Sequence, residues 1–272
     1  MEDYILQKRI HTNIFRARNK KTNIEVILKT TSHILDLCNE ITLLGQIKHP
    51  NVIGMYSSFV YSGSLYIVLE LGCIDLFSIL SNFPGRRMPE YIIKNRVVEP
   101  ITKALEYIHS KGIIHRDIKP ENIIVMKNGE TKLCDFGLSC VKTIDSSLYC
   151  GTKEFMAPEI QMDKTYDEKI DIWAFGCVIY ELIYGIQFYK SVLGFQEIRD
   201  VSQDAINFVR HMLVTNPLLR PSASKLLTKL WTIYEQPQRR SISLTDLNIQ
   251  SPKRRNHLQS QSHTVPIRET IP

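Results

Sequence analysis

His115-Arg116-Asp117-Ile118-Lys119-Pro120-Glu121-Asn122, followed by Asp135-Phe136-Gly137, decides how this chain is read. The stretch brings two carboxylates, an amide and a cation close together. A carboxylate beside an attacking hydroxyl can take its proton. An Asp and an Asn can hold a divalent metal, and a lysine offsets negative charge on a transferred group. Phosphoryl transfer needs that set. A lone Asp-Phe-Gly arises by chance; both motifs, in this order and at this spacing, are specific.

The two motifs resemble the catalytic loop and the metal-binding loop of the eukaryotic protein kinases. The resemblance runs from about Tyr4 to Tyr234 and implies a bilobal α+β fold. A small β-rich lobe is expected over 1–71 and a larger helical lobe over 72–235, which together make a kinase domain of 1–235. It also implies ATP and Mg2+ as cofactors and protein Ser/Thr hydroxyls as acceptors. Asp117 and Lys119 would be the catalytic residues, as base and phosphate-neutralising cation. Asn122 and Asp135 would be the metal ligands. Lys119, with Thr152 in Cys150-Gly151-Thr152, is similar to the serine/threonine branch. General features resemble the Aurora and calcium/calmodulin-kinase branches.

Upstream, Tyr4-Ile5-Leu6, Asn13 to Ala17 and Glu25 to Lys29 are β-rich runs, with a turn at Lys20-Lys21-Thr22-Asn23. Lys29 closes the third run after Val26-Ile27-Leu28 and resembles the lysine that holds the α- and β-phosphates. Leu6 and Ile14 would line the nucleotide. Ile34, Leu37, Cys38, Ile41 and Leu44 recur at helical spacing up to His49-Pro50-Asn51. Glu40 in that helix matches the glutamate that pairs with the strand lysine. Asn51–Val60 and Ser64–Glu70 read as further strands. Leu69 matches the gatekeeper and Glu70-Leu71-Gly72 the hinge, so Glu70 and Gly72 count among the cofactor-binding residues.

Downstream, Val97, Ile101, Leu105 and Ile108 mark a helix that ends before the catalytic loop. Ile123-Ile124-Val125 and Lys132-Leu133-Cys134 flank Lys127-Asn128-Gly129 as a hairpin. The segment from Asp135 to Ala157-Pro158-Glu159 matches an activation segment, with Arg116 and the loop serines Ser146 and Ser147 as its expected phosphate switch. Asp171-Ile172-Trp173-Ala174-Phe175-Gly176 opens an apolar helix that resembles the buried axis of the large lobe. Arg220 matches the arginine that pairs with Glu159, and Leu44, Met55, His115 and Phe136 match an apolar spine. Between Phe188 and Ser202 the chain is short by family standards, so the docking helix there is expected to be reduced. Asp75 and Glu121 match carboxylates that read arginines ahead of the target serine.

Hydrophobic residues make up 43% of the 272 and charged residues 23%, ordinary values for a soluble globular chain. The net charge is +6. From Gln236 on, Arg239, Arg240, Lys253, Arg254, Arg255 and Arg268 stand against Asp246 and Glu269, leaving a nearly neutral folded part. No nucleic-acid partner is therefore expected. Residues 236–272, rich in Pro, Arg, Ser and Gln, are expected to form a basic disordered tail. Its Arg239-Arg240-Ser241-Ile242-Ser243 would suit an enzyme that reads upstream arginines. Six scattered cysteines without a Cys-x-x-Cys pair fit a reducing, intracellular compartment, cytoplasm or nucleus. Met1-Glu2-Asp3-Tyr4 does not read as a signal peptide. Asp171 and Glu181 in the most apolar run argue for a buried helix and no membrane partner.

Two departures from the family pattern stand out. Gln7, Arg9 and Thr12 occupy the places of the glycines whose backbone N–H groups approach phosphate. Ile27 replaces the alanine over the adenine ring, and overpacking of that kind costs about 1–3 kcal/mol. Two readings follow: a serine/threonine kinase with Asp117 as base, or a pseudokinase scaffold or allosteric regulator with weak or no ATP binding. Retention of Lys29, Glu40, Asp117, Asn122 and Asp135 together favours the first. The chain gives no reading of oligomeric state.

Overall fold

The computed structural model describes residues 2–31, 34–142, 149–191, 194–196, 198 and 200–230. Expectations for Ser146, Ser147 and the tail from residue 236 lie outside them. The chain begins with β1 (Tyr4–His11), β2 (Ile14–Asn19) and β3 (Glu25–Thr31). Helix α1 (Ile34–Gln46) precedes β4 (Met55–Tyr61) and β5 (Ser64–Glu70). These five strands form one sheet in the order β1-β2-β3-β5-β4, every pair antiparallel. The register sets Ile14 opposite Lys29, Ile27 opposite Leu69 and Val26 opposite Glu70.

Side chains alternate across a strand. In β3, Val26 and Leu28 join Ala17 and Val68 in a small upper core, whereas Ile27 packs on the main core side. That leaves Ile27 and Lys29 on one face, toward the cleft.

After the sheet come β6 (Ile74–Asp75) and α2 (Leu76–Leu80), then α3 (Glu90–Ile92), which passes through a π-helical segment (Ile93–Val98) into α4 (Glu99–Ser110). Pro100 near the start of α4 has no N–H to give. Glu99 N–H reaches back five residues to Lys94 O, the wider spacing that accommodates the ring. The catalytic loop lies between β7 (Ile113–Ile114) and β8 (Ile123–Val125). β9 (Thr131–Leu133) pairs with β8, and β10 (Cys140–Val141) with β7.

The large lobe is completed by α5 (Pro158–Gln161), α6 (Lys169–Tyr184), α7 (Gln203–Met212) and α8 (Ala223–Thr228). Every residue from Ile170 to Ile183 in α6 is buried, so this helix is the core axis expected from its sequence. Helix α7 comes so close that a Cβ on Gly176 would sit 2.9 Å from Met212 Cβ. Among the described residues no helix lies between Lys190 and Gln203. No helix of the described residues is long and apolar enough to cross a membrane.

Candidate active site

Strand β3 delivers Lys29 and helix α1 delivers Glu40. Lys29 Nζ lies 2.7 Å from Glu40 Oε2 and 2.7 Å from Asp135 Oδ1, and Glu40 is fully buried. Burial favours the neutral amine, but the two carboxylates outweigh it and hold the Lys29 pKa above its ordinary value. Burial likewise opposes the charge on Asp135, yet Lys29 keeps its carboxyl below the usual range. The three residues come from positions 29, 40 and 135, and only the fold brings them together.

The second cluster surrounds Asp117. Asn122 Nδ2 donates to Asp117 O at 2.8 Å and to Asp117 Oδ2 at 3.0 Å. Lys119 Nζ lies 2.7 Å from Asp117 Oδ2 and donates to Thr152 Oγ1 at 2.9 Å. Thr152 in turn donates to Asp117 Oδ1 through its hydroxyl at 2.7 Å and its backbone N–H at 3.1 Å. The carboxylate is thus oriented by three side chains. With its amide nitrogen committed, Asn122 has its carbonyl oxygen to offer a cation.

Asp171 supports this cluster from beneath. It is 1% exposed and accepts from His115 N at 2.8 Å and Arg116 N at 2.9 Å, with His109 Nε2 at 2.9 Å. Arg116 and Asp135 have φ of 68° and 63°. Left-handed backbone at a non-glycine costs about 1–2 kcal/mol and persists where its surroundings enforce it. Asp171 does so at Arg116 and Lys29 at Asp135. The Arg116 side chain donates to Leu138 O and, at 3.3 Å, to Tyr166 Oη. The role of Asp171 is not legible in the Asp-x-Trp-x-x-Gly pattern that holds it, nor that of Thr152 in the sequence that marks the serine/threonine branch, since both depend on contacts across the fold.

The expected spine assembles. Leu44, His115 and Phe136 are buried, Met55 packs against the same core, and the His115 and Phe136 rings meet edge to face at 4.9 Å. The Arg220–Glu159 pair forms as expected, with contacts of 2.7 and 3.1 Å, and Arg220 is 1% exposed.

At the hinge, a Cβ on Gly72 would lie 2.1 Å from Ile124 Cγ2, so no larger residue fits there. The Glu70 carboxylate accepts from Gly54 N at 3.2 Å and pairs with Lys132 at 2.8 Å. What Glu70 can offer a base is therefore its backbone. Asp75, matched in sequence to a substrate-reading carboxylate, caps α2: its two oxygens accept from Ser78 N at 2.7 Å and Ser78 Oγ at 2.8 Å.

The roof differs from the floor. Strand β1 is exposed over nearly its whole length, Leu6 at 47%. None of Gln7, Arg9 and Thr12 takes a positive φ, so the turn holds without glycine. Arg9 ties the turn back on itself, donating to Thr12 O at 2.8 Å and His11 O at 3.3 Å.

A strand lysine paired with a buried helical glutamate, a carboxylate–lysine–threonine cluster and a buried helix that anchors the catalytic loop define the protein kinase class. The chain matches the protein kinase domain family over residues 11–232 and belongs to that family, in its serine/threonine branch. It is 32% identical over 231 residues to the cAMP-dependent protein kinase type 3 of Saccharomyces cerevisiae, covering 84% of this chain and 54% of that one. It is 29% identical over 248 residues to the serine/threonine-protein kinase Aurora-2 of Arabidopsis thaliana, covering 81% of this chain and 85% of that one. Against the serine/threonine-protein kinase TIO of the same plant the identity is 32%, over 73% of this chain and 16% of the relative. The chain thus spans about half of the yeast relative and a sixth of TIO.

Proposed function

We propose that this chain transfers the γ-phosphate of ATP to serine or threonine hydroxyls of proteins. The observation that carries this reading is the set of bonds converging on Asp117 from Asn122, Lys119 and Thr152. Asp117 Oδ1 and Oδ2 are held to accept the proton of an incoming hydroxyl. Lys119 stands beside that point to offset charge on the group in transfer. Lys29, oriented by Glu40, binds the α- and β-phosphates. Leu6, Ile14, Ile27 and Gly72, with the Glu70 backbone, enclose the base. Asn122 and Asp135 would hold magnesium, which when bound neutralises phosphate charge. Their oxygen donors fit that hard cation.

The catalytic unit on this reading is 1–235, with 236–272 as a basic tail. Substrates carry basic residues ahead of the target, for which the exposed Glu121 is available. Ser243 and Ser241 of the tail fit such a pattern. The test is purified chain with Mg-ATP and a peptide library. Asp117→Asn should lower turnover about 100- to 10,000-fold while ATP still binds; unchanged turnover would sink the assignment.

A second reading, a pseudokinase scaffold, is favoured by the glycine-free turn and by Ile27. A thermal-shift titration with Mg-ATP separates the two at the binding step, since a scaffold of this kind would show no shift.

A further inference from the structure

Asn39 lies in the middle of α1, one position before Glu40, on a side of the helix that is exposed. Asn is a poor helix former, because its short amide competes for backbone groups and favours caps and turns. On an open helix face Ala, Glu or Lys would suit the helix better. The question for such a residue is where its side chain goes. Here it leaves the helix: Nδ2 donates to Ser139 O at 2.6 Å, across 100 positions of chain.

Ser139 belongs to the loop that begins at Asp135. It is fully buried, its Oγ donates to His115 O at 3.2 Å and its N–H donates to Phe136 O at 3.1 Å. The same short stretch runs beside the lysine–glutamate pair. A Cβ on Gly137 would lie 3.3 Å from Asp135 Oδ1, 3.6 Å from Lys29 Nζ and 3.8 Å from Glu40 Oε2. Ser139 is therefore a junction. Its carbonyl is held by α1, its hydroxyl holds the catalytic loop, and its N–H closes the turn that follows Asp135.

Lys29 also links α1 to this loop, since it meets Glu40 and Asp135 at once. On the proposed reading Lys29 turns to phosphate and Asp135 to magnesium, so that link loosens as chemistry begins. The Asn39 bond uses no group assigned to nucleotide or metal. Its donor and acceptor are both uncharged, so salt does not screen it. It is placed to keep Glu40 and the Asp135 loop in step while the charges around them redistribute.

We infer that Asn39 is a positioning residue: it touches no reacting group and sets Asp135 by holding the loop against α1 at Ser139. The inference rests on the protein-kinase reading and names a further residue that serves the same site. The experiment uses the full chain with Asn39→Ala, Asn39→Asp and Asn39→Gln. Ala removes the donor and is the better helix former, so its Tm should equal or exceed that of wild type. Without nucleotide, amide hydrogen exchange over 136–141 should be about tenfold faster in Asn39→Ala, with β4 and β5 unchanged. With Mg-ATP and a serine peptide, kcat should fall about tenfold while the peptide KM stays. In calorimetry the gain in ATP affinity brought by Mg2+ should shrink in Asn39→Ala, and affinity in EDTA should not change. Asn39→Asp keeps the size but turns an acceptor toward Ser139 O, so it should be at least as slow. Asn39→Gln keeps the donor and should recover most of kcat.

A wild type without turnover would sink the kinase reading itself. Turnover that Asn39→Ala shares in full would sink only the Asn39 assignment, as would equal exchange in the two proteins. Faster exchange with an unaltered response to Mg2+, or a loss of kcat that Asn39→Gln does not recover, would make the bond structural and overturn the inference.

Discussion

The floor of the cleft and its roof are built on different terms. The floor hangs from the buried Asp171, and each of Asp117, Lys119, Asn122 and Thr152 has a fixed partner. The roof is an exposed edge strand whose turn is closed by the side chain of Arg9 and carries none of the family's glycines. Proton acceptance and charge neutralisation need particular atoms at particular places, so the floor tolerates little variation. Covering a phosphate needs backbone N–H groups, and several sequences can present them. On the proposed reading, departures in the roof bear on affinity first and on chemistry second.

Four measurements test that contrast. The largest effect is expected in the frame beneath the floor. Arg220→Ala leaves Glu159 charged and buried, and should cost about 3–5 kcal/mol in denaturant unfolding. A loss below 1 kcal/mol would show that the large lobe does not depend on this pair. In the roof, Ile27→Ala should tighten ATP about five- to a hundred-fold by calorimetry, the counterpart of about 1–3 kcal/mol of overpacking. Unchanged or weaker binding would mean the pocket has repacked around isoleucine.

The third concerns pH. Burial holds the His115 pKa below its ordinary 6.5. The unfolded chain therefore binds more protons below that value. Stability is complete above about pH 7 and is lost as pH falls through 6.5 toward the folded value, by at most about 1.4 kcal/mol per pH unit. His115→Phe should flatten Tm against pH between 7 and 5; an unaltered slope would assign the loss to other groups. The smallest effect belongs to the turn. Arg9→Ala, at an exposed site, should change stability by about 0.5 kcal/mol or less. A larger loss would make the roof as dependent on one side chain as the floor is.

Most of the floor was legible in the sequence because its residues are local: His115 to Asn122 and Asp135-Phe136-Gly137 carry their proposed roles in their spacing. The strand edges were less legible. β1 runs on to His11, beyond the apolar residues that mark its start, because pairing with β2 and not burial holds it. The helix before the catalytic loop begins at Glu90, ahead of the Val97 that first marks it in the sequence, and π-helical turns carry it through Pro100. Asp75 matched a substrate-reading position, yet it caps α2, because a side chain adjacent to a free helix N-terminus meets backbone donors first.

The family, the two lobes and the lysine–glutamate pair are legible in the amino-acid sequence, as is the carboxylate proposed as base, since each rests on residue type at a fixed spacing. Only the tertiary structure decided that Asp171 anchors the catalytic loop, that Thr152 binds Asp117, that Gly72 is demanded by Ile124, and that Asn39 is bonded to Ser139. These contacts join residues far apart along the chain. Spacing carries no information about them, and packing fixes them once apolar burial has set the strands and α6 in place.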